Sequence, residues 1–223
     1  MNKKRLLMLM GGMKDSLTKG LLAYWKLDEA GGEAIDTLGV YNLSDTTNTV
    51  GVPGKVGNAR QFVASNTQFL YSDMFEMGDI DFTISFWIKP ATISTQLIVT
   101  NINTSATSGN FGIYLSNSNI NMALYSSTES LVPVLTATDF GNLSAENWYH
   151  IVATRNKITT AATLFVNNIS TSVNIAGTLG TYKKFRVGRR SFDSTLYYNG
   201  LVDELGVWNR VLTNDEITRL YNA

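Results

Sequence analysis

The chain has no cysteine and one histidine, His150, in 223 residues. Disulfides, zinc–thiolate centres and cysteine nucleophiles are excluded, as is any site that needs two imidazoles. A Ser–His–Asp triad stays open only with His150 as its base. Proline occurs three times, at Pro53, Pro90 and Pro133, and no proline-rich linker divides the chain. Charge is sparse and balanced, 18 Lys plus Arg against 18 Asp plus Glu. A zero balance argues against nucleic acid as the main partner, because such binding needs a basic footprint. No apolar run reaches the roughly 18 residues of a membrane span. There is no Gly-x-Ser-x-Gly elbow, and Gly11-Gly12 and Gly31-Gly32 lack the strand and helix context of a phosphate loop.

Small polar residues are plentiful instead: Asn, Ser and Thr number 21, 18 and 25. With many β-branched residues, they suit short strands and turns. The four Asn-X-Ser sequons, at Asn42, Asn103, Asn142 and Asn168, match the roughly four that this composition gives by chance, so they say nothing about glycosylation.

From Leu21 onward the pattern has period two. In DFTISFWIKP (81–90), Phe82, Ile84, Phe86 and Ile88 point to one face and Thr83, Ser85, Trp87 and Lys89 to the other, which is a strand with one face in a core. Similar runs are QLIVTN (96–101), FGIYLS (111–116), INMALY (120–125), WYHIVATR (148–155), TLFVNN (163–168), KFRVGR (184–189) and LVDELGVW (201–208). Turn residues separate them, as in Asn117-Ser118-Asn119 and Asn167-Asn168. Many short strands with no helix-length segments between them predict an all-β sandwich of two antiparallel sheets. One helix is expected at the C-terminus from about Thr213. Thr213 and Glu216 form a capping box, and Leu212 and Ile217 a hydrophobic staple. Ile217, Leu220 and Tyr221 make the stripe that lies on the sandwich.

The opening MNKKRLLMLMGGMKDSLTKG carries an apolar run of only five residues, Leu6 to Met10. A secretory signal needs about 7–15. Residues 1–19 are therefore read as an arm whose Leu and Met side chains lie on a partner, and residues 20–223 as one domain.

Several motifs coincide in order: GLLAYWKLDEAGG (20–32), Asp36, PGKVGNARQF (53–62), DFTISFWIKP, NWYHIVATR (147–155), TLFVNN, FRVGRR (185–190) and GLVDELGVWNRVLTNDEITRLYN (200–222). Together they resemble the laminin-G-like, concanavalin A-like domain family over most of the chain. That resemblance implies a jelly roll of two antiparallel sheets. It also implies a calcium ion held by a carboxylate of the last strand and others near the N-terminus, at positions matched here by Asp203, Asp28 and Asp36. Asp203 alternates with Leu201 and Leu205, so it is expected in a row of core-facing residues, where a carboxylate must be paired, hydrogen-bonded or metal-bound. Modules of this kind use aromatic rings as sugar platforms and amides for hydroxyls. The candidates off the core face are Trp87, Tyr114, Tyr125, Tyr197 and Tyr198, with Asn119, Asn121 and Asn199.

Catalysis by a carboxylate pair would need two acids on one strand face. Asp79 and Asp81 alternate correctly but lack the Glu-x-Asp-x-Glu pattern of laminarinase-like sandwiches, and His150 reads as a sheet histidine. The expectation is a non-catalytic binding or structural protein. It would be built into a virion or a cell surface through its arm, with other virion or surface proteins and a glycan as partners. A secreted carbohydrate-binding protein is the alternative, and a glycoside hydrolase the third reading.

Overall fold

In the computed structural model, residues 16–101, 111–124, 134–137, 139–175, 177–180, 184–190 and 195–223 are described. Strands run in chain order as β1 (Leu21–Trp25), β2 (Ser44–Asp45), β3 (Val50–Pro53), β4 (Asn58–Phe62), β5 (Leu70–Ser72), β6 (Phe82–Pro90), β7 (Gln96–Asn101) and β8 (Phe111–Ser116). They continue as β9 (Asn119–Leu124), β10 (Val134–Thr136), β11 (Tyr149–Arg155), β12 (Ala161–Val166), β13 (Ile169–Asn174), β14 (Phe185–Val187) and β15 (Gly200–Trp208). Helix α1 (Asn214–Tyr221) follows. The first sheet has the order β13-β12-β11-β6-β15-β4-β3, with β1 also on β15. The second has the order β10-β9-β8-β7-β14-β5-β2. All named pairings are antiparallel, and the whole is the sandwich that the alternating pattern predicts, with the jelly-roll form that the family resemblance implies.

The alternation of β6 explains the core. Phe82, Ile84, Phe86 and Ile88 have no exposed surface and meet Phe111, Ile113 and Leu115 of the opposite sheet in one hydrophobic cluster. Trp25 stacks on Phe185, with ring centroids 5.4 Å apart, and meets Phe75 edge-on at 5.7 Å. Offset and edge-to-face pairs of this kind add to the area they bury.

A smaller cluster lies on the outer face of the first sheet. There α1 and the segment before it lay Leu212 and Ile217 on Val152, Phe165 and Trp208. The capping box is formed: the Thr213 hydroxyl accepts from the Glu216 N–H, and the Glu216 carboxylate accepts from the Thr213 N–H at 2.9 Å. Leu17 is buried in the same cluster, and its carbonyl accepts from Trp208 Nε1 at 2.6 Å. Arg210 donates to the carbonyls of Ser16 and Lys19. The last part of the expected arm, from Ser16, is thus tied to the sandwich, while residues 1–15 lie outside the described residues. No helix of the described residues is long and apolar enough to cross a membrane.

Candidate functional site

Position 87 puts a large ring on the outer face of the first sheet, because its neighbours Phe86 and Ile88 occupy the core face. Its register partners are His150 on β11 and Asp203 on β15. The Trp87 ring lies 5.0 Å from the His150 ring and stacks on Tyr221 of α1 at 5.8 Å and 18°. Lys55, in the turn between β3 and β4, sets its ammonium 4.4 Å from the Trp87 ring centre. An open groove of about 350 Å³ runs between this turn and the end of α1, lined by Lys55, Trp87, Trp148, Asn167, Tyr221 and Asn222. Trp87 itself is buried; Trp148 and Tyr221 are half-exposed. The groove therefore offers aromatic walls, two amides and an ammonium donor within one cleft. Flat rings suit the C–H faces of a sugar, and amides suit its hydroxyls.

Below the groove, His150 Nε2 lies 2.9 Å from the Ser85 hydroxyl, a partner that the sequence did not single out. Burial, with the Lys55 charge adding to it, depresses the imidazole to about 3. No hydrogen bond reaches Nδ1. Ser85 and His150 are both buried, so the pair has neither access nor an orienting carboxylate.

Asp203 does not face the core. A bulge interrupts the pairing of β15 with β6 between Asp203 and Gly206, and Glu204 there adopts φ 52°. The extra residue shifts the alternation, so Val202, Leu205 and Val207 enter the core while Asp203 shares the outer face with Trp87. The turn between β3 and β4 covers it. Oδ2 accepts from the Val56 N–H at 2.9 Å, and Oδ1 has no hydrogen bond. Burial raises its carboxyl to about 7, the nearby Asp28 charge adding to this and the backbone amides of Val56, Lys55 and Glu204 opposing it. The turn has room for these acids because Gly54 and Gly57 lack side chains. A Cβ at Gly54 would lie 2.7 Å from Asp203 Oδ2, and one at Gly57, where φ is +69°, within van der Waals overlap of Asp28 Oδ1.

Of the three expected calcium ligands, Asp28 and Asp203 thus flank one turn. Asp36 is elsewhere and fully engaged: Oδ1 accepts from the N–H groups of Tyr24 and Leu38, and Oδ2 from those of Val40 and Tyr41. It is the hub of a loop, held by these four N–H groups. Among the described residues no group of three or more His, Cys, Asp or Glu side chains is placed to hold a metal.

The expected sugar contacts scatter. Tyr198 has no exposed surface; it sits in the core and donates to the Leu201 carbonyl at 3.2 Å, because the chain turns inward before β15. Tyr197 beside it is half-exposed. Asn199 is tied on both sides, its N–H donating to Gln96 and its Oδ1 accepting from the Ala64 N–H. Tyr114 and Asn121 are register partners on the outer face of the second sheet. Asn121 is buried, donating to the Asn119 carbonyl and accepting from the Thr136 hydroxyl. Asn119 is half-exposed, and Tyr125 lies outside the described residues. Of the candidates among the described residues, only Trp87 lines the groove. Its companions Trp148, Tyr221 and Lys55 could be found only by knowing that α1 and one turn close over the same strand. Asp79 is not half of an acid pair either. Burial opposes its charge, but Lys157, the Leu179 N–H and Arg155 together hold its carboxyl below the usual range.

No curated protein sequence matches the chain. Solved structures do. A domain of an extracellular GH43 arabinanase from Geobacillus stearothermophilus, in complex with arabinotriose, matches at 19% identity and a TM-score of 0.65, over 90% of this chain and 98% of that one. The binding domain of Paraclostridial Mosquitocidal Protein 1 matches at 18% identity and a TM-score of 0.72, over 93% of this chain and 53% of that one. The botulinum neurotoxin serotype D binding domain matches at 16% identity and a TM-score of 0.69, over 91% and 51%. The chain thus spans about half of each toxin domain, and at these identities the likeness is one of fold. A family model does reach further, covering residues 64–218: the chain belongs to the concanavalin A-like lectin/glucanases superfamily.

Proposed function

We propose that the protein is a non-catalytic carbohydrate-binding module that takes a sugar in the groove between α1 and the turn joining β3 to β4. The observation that carries this reading is the convergence of Trp148, Tyr221 and Trp87 with the Asn167 and Asn222 amides and Lys55 in one open cleft. The arabinanase domain, whose fold spans nearly all of its own length, was solved with a pentose oligosaccharide, which makes neutral oligosaccharides the first probes. The closed Ser85–His150 pair and the ion pairing of Asp79 support the non-catalytic reading. An imidazole depressed to about 3 is a weak general base at neutral pH, where a pKa near the working pH serves best.

The test is a glycan array followed by calorimetry on the full chain. Trp148→Ala should weaken binding at least tenfold while leaving the melting temperature within a few degrees. No glycan bound at all, or binding indifferent to Trp148→Ala, overturns the reading. Two further expectations belong with it. Calcium would be held by Asp28 and Asp203 at the covered turn, where an unbonded carboxylate oxygen suits a hard cation. Residues 1–15 would dock the module on a virion or cell surface.

A further inference from the structure

Strand β13 ends the first sheet, and among the described residues it pairs with β12 alone. The turn Asn167–Asn168, with φ of 48° and 69°, joins the two strands. Val166 and Ile169 are therefore the hydrogen-bonded pair that closes the hairpin. Bonded pairs recur at every second residue, and the Ile175 N–H donating to the Thr160 carbonyl at 2.7 Å keeps the same phase. Ile169, Thr171 and Val173 spend their backbone groups on β12. Those of Ser170, Ser172 and Asn174 point to the free edge, and all three residues are exposed.

An exposed edge is normally blunted by a lysine, a proline or a bulge. The opposite edge strand, β3, ends in Pro53. β13 has none of these: its sequence is ISTSVN and its pairing with β12 is regular. No Asp, Glu, Lys or Arg occurs from residue 158 to residue 182. Ile158, in the turn before β12, and Ile169, the first residue of β13, are 89% and 48% exposed. Asp139 touches the strand through the Thr171 hydroxyl at 2.9 Å.

We propose that β13 is the interface with a second copy of this chain, the two strands pairing antiparallel about a two-fold axis at Ser172. A two-fold axis sets each patch against its own copy, so any charge on the edge-facing residues would meet a like charge; Ser170, Ser172 and Asn174 carry none, and the Asp139 carboxylate is bonded to the Thr171 hydroxyl. Ser172 then faces Ser172 of the second copy and Ser170 faces Asn174, three bonded pairs exchanging about six hydrogen bonds. The two first sheets become one. Where the groove binds sugar as proposed above, the pair presents two grooves and gains avidity, but the pairing does not depend on that reading.

The test is sedimentation equilibrium of the full chain from about 1 to 200 μM, with hydrogen exchange at the same concentrations. A monomer–dimer equilibrium is expected, with the amides of Ser170, Ser172 and Asn174 protected only as dimer forms. Ser172→Pro removes an edge-facing N–H and spares the ladder to β12, so it should weaken association at least tenfold with an unchanged circular dichroism spectrum. Ser172→Lys should do the same and serves if the proline variant does not fold. Val50→Lys on the opposite edge should leave association unchanged. A chain that stays monomeric throughout, a dimer that survives Ser172→Lys, or one that dissociates with Val50→Lys instead, overturns the proposal.

Discussion

Phe86 has no exposed surface and sits between Ile84 and Ile88 on the core face of β6, so truncating it leaves a cavity. Phe86→Ala should cost about 3–5 kcal/mol in urea unfolding; a loss under about 1 kcal/mol would mean that the site collapses or that the register is wrong. His150 shows its environment through pH. The unfolded chain takes up a proton near 6.5, the native imidazole only near 3. The contribution of His150 should therefore fall as pH drops from about 6.5 towards 3, by up to a few kcal/mol, while Asp203, raised to about 7, contributes in the opposite direction between about 7 and 4. The groups facing the ring are Ser85, Trp87 and Tyr221, with the Lys55 charge acting on it, and none is a carboxylate that would stabilise the imidazolium. Measured as the difference from the wild type, the urea midpoint of His150→Gln should rise as pH goes from 6.5 to 4.5, with Asp203 common to both proteins; a difference that does not change with pH would place the acid sensitivity elsewhere. At this scale the alternation of β6 was legible because both faces carry a consistent residue type. The place of Asp203 was not: a bulge is a backbone event, and nothing in LVDELGVW marks Glu204 as its extra residue. Tyr198 was misplaced for a similar reason, since a tyrosine can satisfy its hydroxyl inside the core.

Helix α1 is the element that the sequence describes most completely, because a capping box and a staple are local devices that act without a tertiary partner. Thr213→Ala removes the acceptor for the Glu216 N–H and should cost about 1 kcal/mol, a fall of roughly 2–4 °C for a domain of this size. The other half of the cap answers to acid. Burial opposes the Glu216 charge, but Arg210 at 2.7 Å and the Thr213 N–H outweigh it and bring the carboxyl to about 2. The stability it contributes is present above about pH 4.5 and lost as pH falls towards 2. Glu216→Gln should be less stable at neutral pH and lose the acid decline below 4.5, a limb separate from that of His150. Strands β2, β3, β5, β10 and β13 were harder to read. They are short or nearly all polar, so period two leaves no hydrophobic trace, and only pairing with a neighbour makes them strands.

At the scale of the whole molecule, the two sheets and their core follow from period-two runs that all agree, whereas the groove joins Trp87, Lys55 and Tyr221 from elements far apart in the chain. Pairing of that kind is invisible to local pattern. The same holds for the start of the sandwich. Leu17, Ser16 and Lys19 give their carbonyls to Trp208 and Arg210, more than 190 residues away, and Leu17 adds its side chain to the cluster under α1. Deleting residues 1–12 leaves all of these contacts and should change the melting temperature by less than about 2 °C. Deleting residues 1–19 strips the acceptor from a buried Trp208 N–H, and an unsatisfied buried donor costs about 1–3 kcal/mol; a fall of several degrees is expected in differential scanning calorimetry. The two deletions separate anchoring from folding. If residues 1–12 dock the module on a larger assembly, the shorter deletion abolishes co-sedimentation with particles from the native source while glycan binding by the isolated chain persists. A shorter deletion that still co-sediments removes the docking role from these residues and leaves the groove to account for attachment.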